Sequence, residues 1–125
     1  MTTGESLATL LGRLQLAGGV DLAAVVSADG FLIEAAHIEG LDAEEFAAVA
    51  TNGLMVAKAI GREIDRGDID SAIFEYASGT VVINALDEEL LLVLLAGVGG
   101  NLGRLRLLAK RYREELIAAS GAVAG

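Results

Sequence analysis

The seven residues Leu90-Leu91-Leu92-Val93-Leu94-Leu95-Ala96 carry no polar side chain on either face of their alternation. A strand of that kind must be covered on both sides, which places it in the middle of a sheet rather than at an edge. A second apolar run, Val81 to Leu86, precedes it across the acidic turn Asp87-Glu88-Glu89. A Gly-rich joint, Gly97 to Gly103, then leads into an amphipathic basic helix, Arg104 to Ala119. The core of a layered α/β domain is therefore built late in the chain.

With 125 residues, of which 54% are hydrophobic, the chain is the size of one domain and is able to bury a full core. The domain is expected over residues 5–119, with 120–125 as a short flexible tail of small residues. There is no Cys, so disulfides, thiolate metal sites and a cysteine nucleophile are excluded. No signal-peptide pattern is visible, and seven residues is the longest apolar run, far short of a membrane span. A cytoplasmic location and no direct membrane insertion are the expectations.

The formal net charge of −9, from 18 acidic and 9 basic residues, argues against nucleic acid as a partner. The cations are nonetheless clustered. Arg104, Arg106, Lys110, Arg111 and Arg113 share one helix, and Lys58, Arg62 and Arg66 recur at i, i+4, i+8 on another. Each cluster is either a solvated helix face or a surface that docks an acidic partner.

Ser6 to Ala17 reads as a helix with the stripe Leu7, Leu10, Leu11 and Leu14, stopped by Gly18-Gly19. Leu22–Ser27 and Phe31–Ala36 read as strands joined through Asp29-Gly30, a strong hairpin signal, and His37 to Leu41 as a loop. Asp42, with Glu45 three residues on, resembles a capping box and opens a helix expected to reach Arg66. That helix carries bulky Phe46, Val49, Leu54, Val56, Ile60 and Ile64, interleaved with Ala47, Ala48, Ala50, Gly53 and Ala57. Its apolar surface is wider than one sheet requires. Small residues on a second face suggest either a second helix lying close by or a close contact within the same chain. Ser71–Ala77 and Thr80–Leu86 form a hairpin through Ser78-Gly79, and Glu89–Ala96 is the last strand.

The order is therefore α-β-β-α-β-β-β-α. Runs apolar on both faces belong at the centre and half-polar runs at the edges. Together with the hairpins this gives a single-layer, five-stranded, antiparallel-rich sheet in the order 2-1-5-4-3, set between helices. The third strand, Ser71–Ala77, is then an exposed edge with only Glu75 to deter pairing. A dimer made by sheet continuation is expected, with Ala50, Gly53 and Ala57 of the helix and Ile73 and Glu75 of the edge strand at its interface.

No catalytic constellation emerges. The joint Gly97-Val98-Gly99-Gly100-Asn101-Leu102-Gly103 lacks the third glycine of a dinucleotide fingerprint and the Lys-Ser/Thr of a P-loop. His37 is the only histidine, which disfavours zinc. Ser27 and Asp29 do not form a hydrolase triad with it. Glu44-Glu45 and Glu88-Glu89 are adjacent carboxylates that point apart, as capping and solvating residues do. No catalytic residue, cofactor or metal ligand is assigned.

Three segments taken in order carry a resemblance: Val25-Val26-Ser27-Ala28-Asp29-Gly30-Phe31-Leu32-Ile33, Val93-Leu94-Leu95-Ala96 and Asn101-Leu102-Gly103-Arg104-Leu105-Arg106. The chain resembles the roadblock / dynein light chain domain family over about residues 5–119. The resemblance implies a roadblock fold, related to profilin-like and longin-like sandwiches, and a homodimer joined edge to edge through third strands with the long middle helices side by side. It also implies a protein that is not an enzyme and that serves as an adaptor or regulator of a Ras-like small GTPase in a prokaryotic cell. The chain is close to a bare domain, without the longer terminal extensions of the bacterial gliding-motility regulators that accelerate GTP hydrolysis. The implication is thus GTPase binding, with activation left open. The GTPase is expected over the paired middle helices, with Asn52, Lys58, Arg62, Glu63 and Arg66 as contacts. The alternative is a profilin-like ligand-sensing module holding a small molecule against the sheet. Against it, aromatics are only 4%, too few to line such a pocket.

Overall fold

The computed structural model describes residues 5–124. Its elements are α1 (Leu7–Gly18), β1 (Leu22–Ser27), β2 (Leu32–His37), α2 (Ala43–Glu63), β3 (Ser71–Tyr76), β4 (Gly79–Ala85), β5 (Leu90–Ala96) and α3 (Leu102–Ala124). The five strands form one antiparallel sheet in the order β2-β1-β5-β4-β3. The order and the element sequence are those expected from the pattern of apolar runs.

The side-chain alternation of β5 divides the core in two. Leu92 and Leu94 point into a cluster with Leu7, Leu10, Leu11 and Leu14 of α1 and Leu105, Leu108, Tyr112 and Leu116 of α3. Leu91 and Val93 point the other way, into a cluster with Ala43, Ala47, Ala50 and Leu54 of α2. β1 is split likewise, Ala23 and Val25 facing α1 and α3, Leu22, Ala24 and Val26 facing α2. A strand buried on both faces is what forces helices onto both sides of this sheet.

Local signals place the helix ends. Ser6 Oγ accepts from Thr9 N–H at 3.2 Å to start α1, and Gly19, at φ +62°, closes it. Asp42 Oδ1 accepts from Glu45 N–H at 3.1 Å to start α2. Asn101 Oδ1 does the same for Arg104 N–H at 3.0 Å in α3. Two arginines then tie α3 down. Nε and Nη2 of Arg104 donate to Ala17 O at 3.1 and 3.0 Å, at the C-terminal end of α1, and Arg113 Nε donates to Leu86 O at 2.9 Å.

Several expected boundaries shift. α2 ends at Glu63, three residues before Arg66, because Asp65 takes φ +53° and Gly67 φ +84°, a backbone that no helix continues through. Phe31 lies outside β2 and is exposed, while the turn before it is held by Ser27 Oγ accepting from Phe31 N–H. His37 is the last residue of β2 rather than the start of a loop. α3 runs past Ala119 to Ala124. Ser120 is buried in the helix, and its Oγ donates to Leu116 O at 2.6 Å.

The β3–β4 turn is Ala77-Ser78, one residue earlier than expected, with Gly79 inside β4 opposite Tyr76. Gly79 is there for space, since a Cβ would lie 2.7 Å from Ala96 O of the neighbouring strand. Gly79→Ala is expected to destabilise the chain by about 1–3 kcal/mol, read by chemical denaturation, because backbone rather than a flexible side chain must move.

Candidate functional site

β3 is a free edge, and its backbone states which groups it offers. Ala85 N–H donates to Asp70 O at 3.1 Å, just before the strand begins. In an antiparallel ladder hydrogen-bonded pairs alternate. With the observed register, Ala72, Phe74 and Tyr76 are then the β3 residues bonded to β4. The N–H and C=O groups of Ser71, Ile73 and Glu75 are left pointing off the sheet. Ile73 and Glu75, expected at a dimer interface, thus carry the unpaired edge. The Ile73 side chain itself packs against the α1/α3 cluster. At the other edge, β2 is contacted by both α1 and α2.

α2 is oriented opposite to what residue size suggests. Its buried residues are Ala43, Ala47, Ala50, Thr51 and Leu54, so mostly small side chains face the sheet and the helix sits close to it. The bulky residues Val49, Val56, Ile60 and Ile64 are 57–61% exposed. At spacings of three and four they fall, with Gly53 between them, along one stripe. Gly53 fixes where that stripe lies. A Cβ there would be 3.2 Å from Cε2 and Cζ of Phe74, so this flank of α2 lies over β3.

Two sequence expectations are corrected by this packing. Ala50 is buried against the chain's own sheet, and Gly53 is small to admit Phe74, so neither is free for a partner helix. Ala57 is half-buried. The apolar surface available to a second helix is the bulky stripe. Gly53→Leu is therefore expected to lower the melting temperature whether or not a partner binds. Displacing Phe74 costs about 1–3 kcal/mol, more than the roughly 1 kcal/mol gained in helix propensity.

The residues expected to contact a GTPase are not brought together as one row. Asn52 and Glu63 are exposed on α2. Arg66 lies beyond the helix end. Lys58 and Arg62 line an open cleft of about 690 Å³ at the Ser71–Asn84 end of the sheet, which α3 also lines with Arg106, Lys110 and Arg113. None of Lys58, Arg62 and Arg66 forms an ion pair with Glu63 or Asp65. The one ion pair among the described residues joins Arg13 and Glu5.

Elsewhere the candidates for chemistry have structural tasks. The Gly-rich joint is a tight turn in which Gly100 N–H donates to Gly97 O at 3.3 Å. His37 is exposed, with Nδ1 2.7 Å from Ile38 O. Among the described residues no group of three or more His, Asp or Glu is placed to hold a metal ion, and no helix is long and apolar enough to cross a membrane.

The sequence model of the Roadblock/LC7 domain matches residues 7–96, from the start of α1 to the end of β5. The chain belongs to the Roadblock/LC7 domain family. Solved structures share the fold of this Roadblock/LC7 protein. Myxococcus xanthus MglB superposes with a TM-score of 0.83 at 18% identity, covering 93% of this chain and 95% of that one. A Roadblock/LC7 domain from Streptomyces avermitilis superposes at 0.68 with 27% identity, covering 89% and 98%. Acanthamoeba castellanii profilin IA superposes at 0.63 with 16% identity, covering 90% and 98%, which places the profilin relationship in the fold. No curated protein sequence matches the chain. α3 lies beyond the residues matched to the family, and both arginine ties that hold it come from α3 itself.

Proposed function

We propose that this Roadblock/LC7 protein is a homodimeric adaptor, without catalytic activity of its own, that binds and regulates a Ras-like small GTPase in the cytoplasm of a prokaryotic cell. One observation carries the reading. The outward N–H and C=O groups of Ile73 and Glu75 and the exposed stripe Val49, Val56, Ile60 and Ile64 occupy the same flank of the molecule. A monomer leaves an unpaired strand edge and a row of apolar side chains in water together. A second copy related by a two-fold axis covers both at once, β3 against β3 and α2 beside α2. Membership of the Roadblock/LC7 family, whose resemblance implies such a dimer, supports the same arrangement.

In such a dimer the two α2 helices form a shared platform. Asn52 and Glu63, exposed on α2, are the GTPase contacts of this reading, and Arg66 lies at the rim. Lys58 and Arg62 are turned toward the cleft and contribute only long-range attraction. Titrating the host's purified Ras-like GTPases, in both nucleotide states, against the wild type and Glu63→Arg tests this. The expected result is one GTPase that binds the wild-type dimer and binds the variant about tenfold more weakly. Failure of every GTPase to bind a confirmed dimer contradicts the proposal.

A further inference from the structure

The cleft at the end of the sheet reaches β3 only at its first residue, Ser71, and includes neither Ile73 and Glu75 nor the α2 stripe, and its lining is chemically ordered. Lys58 and Arg62 come from α2, on one face of the sheet, and Arg106, Lys110 and Arg113 from α3, on the other. The last three recur at i, i+4, i+7, so they share a face of α3. The carboxylates lining the same cleft come instead from loops: Asp68 and Asp70 before β3, Asp87 and Glu88 between β4 and β5. The helices thus form a basic wall and the loops an acidic one.

None of these nine charges pairs with another, as the one ion pair among the described residues joins Arg13 of α1 to Glu5 just before it. Asp87 is occupied by its own turn, Oδ1 accepting from the N–H groups of Glu89 and Leu90 at 2.8 Å each. Arg113 is held by its Nε bond to Leu86 O, which leaves the Nη groups unengaged. A separate observation points the same way. Asn84, on β4 and lining the cleft, has its Nδ2 buried with no acceptor, alone in this among the described side chains. A buried donor left unsatisfied costs about 1–3 kcal/mol, and a turn of the side chain toward the cleft, onto an oxygen of a bound molecule, would remove that cost.

We propose that this cleft binds a phosphorylated small molecule whose remaining part is rich in hydrogen-bond donors. Three guanidinium groups and two ammonium groups match the oxygens of a phosphate or diphosphate, arginine in bidentate fashion. About 690 Å³ is the size of a small-molecule site. The acidic wall rejects a bare polyanion and favours hydroxyl or amino groups on the far end of the ligand, which supplies selectivity through repulsion. The proposal shares Lys58 and Arg62 with the GTPase reading but needs neither Ile73 and Glu75 nor the apolar stripe of α2, so each can fail without the other.

The test follows the Asn84 side-chain amide by NMR in the full chain at physiological salt, with ADP, pyrophosphate and adenosine as probes. ADP is expected to shift that resonance saturably, pyrophosphate more weakly and adenosine not at all. The double variant Arg62→Gln, Lys110→Gln, which removes one exposed cation from each helix, is expected to bind ADP about tenfold more weakly while keeping its dispersed spectrum. An unmoved Asn84 amide with millimolar ADP and pyrophosphate overturns the proposal. So does equal binding by the double variant, which would show only a diffuse ion atmosphere.

Discussion

Glu75→Pro is expected to convert the proposed dimer to a folded monomer. The N–H at position 75 points away from β4, so its loss leaves the internal ladder intact, and proline is tolerated at such edge positions. A partner strand loses that donor and meets the proline ring instead. Ile73→Pro acts on the same edge but also removes a side chain that packs on the α1/α3 cluster, so Glu75→Pro is the cleaner substitution. The stripe on α2 gives a second route. Val56→Glu adds a charge to a surface that a two-fold axis doubles, and Val56 is exposed in the single chain, so folding is spared. Either change is expected to raise the dimer dissociation constant about a hundredfold or more. Light scattering checks this, with circular dichroism confirming that the chain remains folded.

The second large effect lies in the sheet. Leu94, at the centre of β5, is fully buried among α1 and α3 residues, and Leu94→Ala removes three carbons from a packed site. The expected loss is about 2–5 kcal/mol, a large share of the roughly 5–15 kcal/mol that stabilises a domain of this size. Leu107→Ala, on the exposed face of α3, is expected to change stability by no more than about 0.5 kcal/mol. Urea denaturation of the two variants checks the contrast. Comparable losses would mean that α3 buries a different face.

The sheet was legible in the sequence because its signals are strong and redundant. β5 and β1 have no polar face, which leaves them only the centre, and the hairpins then fix the order of the other strands. The middle helix was less legible. Size and hydrophobicity point Val49, Val56, Ile60 and Ile64 inward. The helix instead buries Ala43, Ala47 and Ala50, because small side chains allow close approach to a sheet already filled by Leu, Val and Ile. A helix with two apolar faces does not say from sequence which of them its own chain uses. Gly53 left a second helix and a contact within the chain equally open for the same reason, since its partner, Phe74, is distant in sequence.

The candidate site was half legible. Ile73 and Glu75 followed from the bareness of the third strand, and their outward backbone groups agree with it. The basic row on α2 was read as a continuous surface at i, i+4, i+8, but Asp65 and Gly67 end the helix before Arg66 can join it. That Lys58 and Arg62 face the cations of α3 across the end of the sheet depends on tertiary packing, and no local pattern carries it. The continuation of α3 through Ser120 was hidden because a run of Ala, Ser and Gly has no periodic apolar signal. The bulky anchors of this part of the helix, Leu116 and Ile117, lie about a turn earlier.

The arrangement of two copies across β3 and α2 is the claim on which the adaptor reading rests. Multi-angle light scattering of the purified chain at micromolar concentration tests it most directly. The mass expected is twice the 12.8 kDa of the single chain. A folded species of 12.8 kDa at that concentration would contradict it.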